Sequence, residues 1–64
     1  MNYGEVKRLL KKNGCYFVEE GGRHEKWVSP ITGETFPVSR HNQEDAARGT
    51  FKSILKAAGI TLPR

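Results

Sequence analysis

Apolar side chains recur at Tyr3, Val6, Leu9 and Leu10, while Lys7, Arg8, Lys11 and Lys12 lie largely around them. This spacing predicts an amphipathic helix over residues 3–13. Asn2 is suited to cap its first turn, with Glu5 three residues on as the reciprocal member of a capping box. Gly14 fits the left-handed position that ends the helix and lets Cys15 pack back on Leu10. The lysines gather toward the C-terminal end, where the helix dipole favours cations.

The period then shortens. Cys15-Tyr16-Phe17-Val18 suits a packed strand, and Gly21-Gly22 permits the reversal after it. A second strand, about Glu25 to Ser29, puts Trp27 on one face and Lys26 and Val28 on the other; if it starts early, His24 joins the Lys26 side. Pro30-Ile31-Thr32-Gly33 is a turn, and Thr35-Phe36-Pro37-Val38 is a third strand whose proline suits an edge. Residues 39–48 are polar and read as a loop with at most one helical turn. Thr50 then caps a second helix with Phe51, Ile54, Leu55 and Ala58 on one face. Gly59 ends it, and Ile60 folds back toward Leu55.

Helix, three strands and helix predict an α+β fold, two helices on one face of a three-stranded antiparallel sheet, with the other face open to solvent or a partner. Residues 1–64 make one domain with a short tail at about 61–64. In so small a core, Trp27 and Phe17 are expected to pack inside, leaving Tyr16 as the aromatic available for contact.

Eleven Lys or Arg against seven Asp or Glu give a formal charge of +4, which favours an anionic partner such as nucleic acid or an acidic protein face. Cys15 is the only cysteine, so an internal disulfide is excluded and a cytoplasmic setting is expected. No apolar run reaches the roughly 20 residues that cross a bilayer, and no export signal opens the chain, so no membrane association is expected. His24 and His41 lack the spacing of a zinc site, so neither metal nor cofactor is expected. Gly49-Thr50 has the form of a phosphate-binding helix start, but a plain cap explains the same residues with no ligand and is the preferred reading.

Candidate chemistry centres on Gly21-Gly22-Arg23-His24-Glu25-Lys26-Trp27, which sets an imidazole on a basic, glycine-flanked turn. By composition alone, an ordinary exposed turn histidine explains it more simply. In order and spacing, Leu9-Leu10-x-x-Asn13-Gly14-x-Tyr16-Phe17, Gly22-x-His24-x-Lys26-Trp27, Pro37-Val38 with His41, and Gly49-Thr50-Phe51-x-Ser53-Ile54-Leu55-Lys56-x-Ala58-Gly59-Ile60 run through nearly the whole chain. On these motifs the chain resembles the HicA family of small toxins from toxin–antitoxin pairs. Arg23 stands where the family often has serine, and the order Phe36-Pro37-Val38-Ser39-Arg40-His41 departs from the family's usual Val-Pro-x-His.

The resemblance implies a double-stranded-RNA-binding-domain-like fold and a metal-independent endoribonuclease that cleaves messenger RNA. It also implies a HicB-type antitoxin covering the active histidine, which falls on His24. On this reading Lys26 and Arg23 contribute charge to the phosphate, and His41 ranks below His24, as a structural or RNA-positioning group. Lys7, Lys11, Lys12, Tyr16, Arg48, Lys52 and Lys56 are the candidate contacts to single-stranded RNA. A non-catalytic RNA-binding module and a basic protein-interaction domain fit the same helix order and charge.

Overall fold

The computed structural model describes residues 1–62. Its elements run α1 (Tyr3–Lys12), β1 (Tyr16–Gly21), β2 (His24–Val28), β3 (Thr35–Ser39) and α2 (Arg48–Ala58). The three strands form one antiparallel sheet in the order β1-β2-β3. This is the expected α+β architecture. Of the expected tail, Pro63 and Arg64 lie outside the described residues, while Thr61 and Leu62 are exposed.

Local signals explain where α1 begins and ends. The Asn2 side chain accepts from the Glu5 amide at 2.8 Å and the Glu5 carboxylate accepts from the Asn2 amide at 2.9 Å, completing the capping box. At the other end the Gly14 amide donates to the Lys11 carbonyl and the Cys15 amide to the Leu10 carbonyl, the paired bonds of a Schellman stop. Cys15 is buried, as its position after Gly14 predicts.

The start of α2 differs from expectation. The helix begins two residues before Thr50, and Ala47 stands at its N-cap in an extended conformation without a side-chain bond. Thr50 is therefore inside the first turn, and the capping role read for it is not realised. Tertiary anchoring substitutes for the missing cap: the Ala46 amide donates to the Met1 carbonyl at 3.0 Å, and Ala46 packs against the core.

The C-terminus of α2 is closed from outside. Ser29 Oγ donates to the Ala58 carbonyl, and Thr32 Oγ1 donates to the Ala57 carbonyl at 2.7 Å, so the β2–β3 turn satisfies acceptors the helix cannot. Gly59 follows at φ +73°, and the Ile60 amide returns to the Leu55 carbonyl at 3.0 Å as predicted.

Trp27, Phe36 and Val38 present one sheet face to Val6 and Leu10 of α1 and Ile54 and Ala58 of α2, and these residues make most of the core. Cross-strand pairing sets Trp27 opposite Phe36 and Lys26 opposite Pro37, so Lys26 and His24 share the uncovered face. β1 is exposed along its whole length. Phe17, expected in the core, is 45% exposed. The reason is width: the helix layer covers the β2 and β3 side of the sheet and stops short of β1, so an aromatic on the inward register remains half open.

A Cβ at position 59 would lie 2.8 Å from Thr32 Cγ2 and 2.9 Å from Ile31 Cγ2, on a backbone that L side chains resist. Gly59→Ala is therefore expected to destabilise the fold by about 1–2 kcal/mol or more, read as a lower urea midpoint with an unchanged slope.

Candidate functional site

His24 is the first residue of β2. A two-residue turn, Gly22-Arg23, joins it to Gly21, its partner on β1. Gly22 takes φ +60°, a value suited to the first position of a II′ hairpin turn. On the other side His24 pairs with Ser39 of β3. The antiparallel register thus brings the residues just after β3 to the end of the sheet where β2 begins.

Those residues include His41. A groove of about 530 Å³ is lined by Gly22, Arg23, His24, Ser39, Arg40, His41 and Glu44. The Arg40 guanidinium crosses the groove and donates to the Gly22 carbonyl at 2.8 Å, tying the end of β3 to the β1–β2 turn. The His41 amide donates to Ser39 Oγ at 3.1 Å, and the Glu44 amide to the His41 carbonyl at 3.1 Å, shaping the following turn. The loop is moored to α1 as well, because the Tyr3 and Gly4 amides donate to the Glu44 and Asn42 carbonyls. Two amides that the helix start leaves unpaired thereby hold the His41 loop.

Behind the groove, on the helix side of the sheet, lies a second layer of polar contacts. The Lys7 ammonium sits 3.0 Å from Glu25 Oε1 and also donates to Asn42 Oδ1, while Trp27 Nε1 donates to the same Glu25 oxygen at 3.0 Å. Burial alone pushes the Glu25 carboxyl up. The hydrogen bonds from Trp27 and Lys7, with the charges of Lys7 and Lys11, outweigh burial and hold it below the ordinary carboxylate value.

Several expected contact residues take other positions. Lys7, read as an RNA contact, is buried and committed to Glu25 and Asn42, so its charge is turned inward. Lys26 lines a neighbouring depression of about 330 Å³ that also reaches His24, Thr35 and Pro37. Its ammonium lies 3.1 Å from Glu19 Oε1, and since the two side chains are 50% and 61% exposed, water screens the pair and leaves it labile. Tyr16 is exposed opposite Val28, at the other end of the sheet from His24. Lys11 and Lys12 are exposed on α1, and Arg48, Lys52 and Lys56 on α2, outside the histidine groove.

Arg40, Ser39 and Glu44 were not among the expected site residues. Register holds the missing signal: once Trp27 faces Phe36, counting along the two strands sets His24 against Ser39 and brings Arg40 and His41 to the same end. Two imidazoles, two guanidiniums and one carboxylate line one open groove, an arrangement that supplies hydrogen-bond donors and acceptors and positive charge for an anion.

These features define a small cationic α+β domain with two histidines and two arginines gathered at one end of its sheet. A family model described as the HicA toxin of bacterial toxin–antitoxin matches residues 3–60, and the chain belongs to that family. It is accordingly the toxin component of a toxin–antitoxin system, with an antitoxin as partner. No curated protein and no solved structure matches the chain. Among the described residues no helix is long and apolar enough to cross a membrane.

Because Glu25 titrates below its unfolded value, its contribution to stability is present above the ordinary carboxylate pKa and is lost as pH falls through the folded pKa. Glu25→Gln is expected to cost roughly 1–3 kcal/mol at neutral pH. The gap from the parent closes as the pH falls through the lowered pKa of the folded Glu25 carboxyl, which chemical unfolding at a series of pH values will read.

Proposed function

We propose that this toxin is a metal-independent endoribonuclease acting on single-stranded regions of messenger RNA in the cytoplasm. The carrying observation is that His24 and His41, far apart in sequence, line one groove with Arg23 and Arg40. Cleavage without a metal needs a base to take the proton of the RNA 2′-hydroxyl and an acid to protonate the departing 5′-oxygen. One histidine cannot serve both needs in a concerted step. His24 carries one proton transfer and His41 the other, a higher rank for His41 than the sequence suggested.

In this scheme the 2′-oxygen forms a bond to phosphorus as the bond to the 5′-oxygen breaks, leaving a 2′,3′-cyclic phosphate and a 5′-hydroxyl. Arg23 and Arg40 flank the groove as partners for the negative phosphate oxygens. Lys26 adds charge next to His24 once its exposed partner Glu19 is displaced. The exposed cations Lys11, Lys12, Arg48, Lys52 and Lys56 and the ring of Tyr16 serve the flanking RNA, while Lys7 acts within the fold. A HicB-type antitoxin would silence the toxin by covering the groove and setting acidic groups against its arginines.

Purified protein is expected to cleave single-stranded RNA in the presence of a chelator. His24→Ala and His41→Ala should each lower turnover by about 10²–10⁴-fold with the fold retained. Turnover unchanged in His41→Ala would return that residue to positioning, and unchanged turnover in His24→Ala would end the mechanism. Intact RNA with every sample, bound in a salt-dependent way, would instead mark a non-catalytic binding module.

A further inference from the structure

Phe17 is an aromatic on the inward-facing register of the sheet that no helix covers. It pairs with Trp27 across β1 and β2, and the two rings meet edge to face at 6.5 Å and 78°. That contact holds the Phe17 ring in place, and 45% of the residue remains exposed. A depression of about 370 Å³ surrounds it, lined by Lys7, Lys11, Phe17, Glu25, Trp27 and Asn42.

We propose that this depression is a nucleobase-binding subsite, separate from the histidine groove, in which an unpaired base of the RNA strand stacks on Phe17. Its rim fits that ligand. Lys11 is exposed and unburdened by any ion pair among the described residues, so it is available to the phosphate of the stacked nucleotide. Every contact the structure gives Glu25 runs through Oε1, leaving Oε2 as an acceptor for an amino or imino group on the base edge. The Asn42 side-chain oxygen is engaged by Lys7, and its amide group donates no hydrogen bond among the described residues, which leaves two protons as donors. Aromatic face, donor, acceptor and cation are the parts that single-stranded recognition uses.

A second copy of the chain is the less suitable occupant. β1 carries a bulge at Val18 and two successive acids, Glu19 and Glu20, devices that hinder edge-to-edge pairing. The subsite lies three β2 residues from His24 along the strand and on the opposite face of the sheet, so an RNA strand that reaches both passes around the uncovered β1 edge. A base held there would anchor the strand flanking the bond that is cut. The inference rests on the RNA-cleaving reading and is separable from it.

The test uses the full chain and a short single-stranded oligonucleotide of 2′-O-methyl nucleotides, which lacks the attacking hydroxyl, beside an abasic oligonucleotide of equal charge. Binding is followed by anisotropy and by emission of Trp27, the only tryptophan. Phe17→Ala is expected to weaken binding of the intact oligonucleotide by roughly 5- to 150-fold, the equivalent of about 1–3 kcal/mol of base stacking. Phe17→Tyr should restore it, and the abasic strand should bind parent and Phe17→Ala alike. Equal binding of the intact strand by parent and Phe17→Ala overturns the subsite while leaving the RNA reading standing. Parent protein that binds no oligonucleotide overturns both. A change in self-association with unchanged oligonucleotide affinity overturns the subsite in favour of a contact between copies.

Discussion

Lys7 holds the histidine-bearing end of this molecule from behind. Its ammonium, carried on α1, meets Glu25 of β2 and Asn42 of the following loop at once. Glu25 is the neighbour of His24 in the chain, and Asn42 the neighbour of His41. Alternation along a strand means that Glu25 directed into the helix layer leaves His24 directed out of it. One cation thus fixes the backbone beside both imidazoles. The ammonium is tied to two elements at once, so the docking of α1, the Trp27 bond to Glu25 and the position of the loop share one contact point.

The smallness of the core explains why so much chemistry is left at the edges. Two short helices cover only part of a three-stranded sheet, and the burial they achieve is concentrated on Trp27, Phe36 and Val38. β1, the outer face and the sheet end receive no cover, and these are where Tyr16, Phe17, Lys26 and His24 lie. Polar contacts do work that a larger protein assigns to apolar packing: the Ser29 and Thr32 side chains close the end of α2, and the backbone carbonyls of Asn42 and Glu44 close the start of α1. A chain with a stability of about 0.05–0.15 kcal/mol per residue has little surplus, so each such closure matters.

Much of this was legible in the sequence because it is written in local signals. The capping box at Asn2, both glycine stops, the side alternation about Trp27 and the element order follow from spacing and residue type. What was not legible depended on width and register. Phe17 has the character of a core residue, and only the reach of the helix layer leaves it open. Thr50 has the character of a cap, yet Ala46 is pinned to Met1 and starts the helix early. Lys7 sits among lysines that face solvent, and nothing in that cluster marks the one that meets Glu25. His24 stands out from its turn together with the family resemblance, whereas the placing of Arg40 beside it required the β2–β3 register to be known.

The bulge at Val18 connects these observations. Phe17 faces Trp27 and Glu19 faces Lys26, so β1 spends one extra residue between them. Without it, Glu19 would stand against Glu25 and the reversal would hold three residues, Gly21 to Arg23. With it, Glu19 turns to the open face opposite Lys26, and the turn shortens to Gly22-Arg23. Gly21 then becomes the partner of His24 on one flank, with Ser39 on the other. Neither carries bulk, so the imidazole stands between two small neighbours at the mouth of the groove. One inserted residue in an edge strand therefore sets both the exposure of His24 and the tightness of the turn that presents it, and the cost is a weakened ladder at the edge least supported by the core.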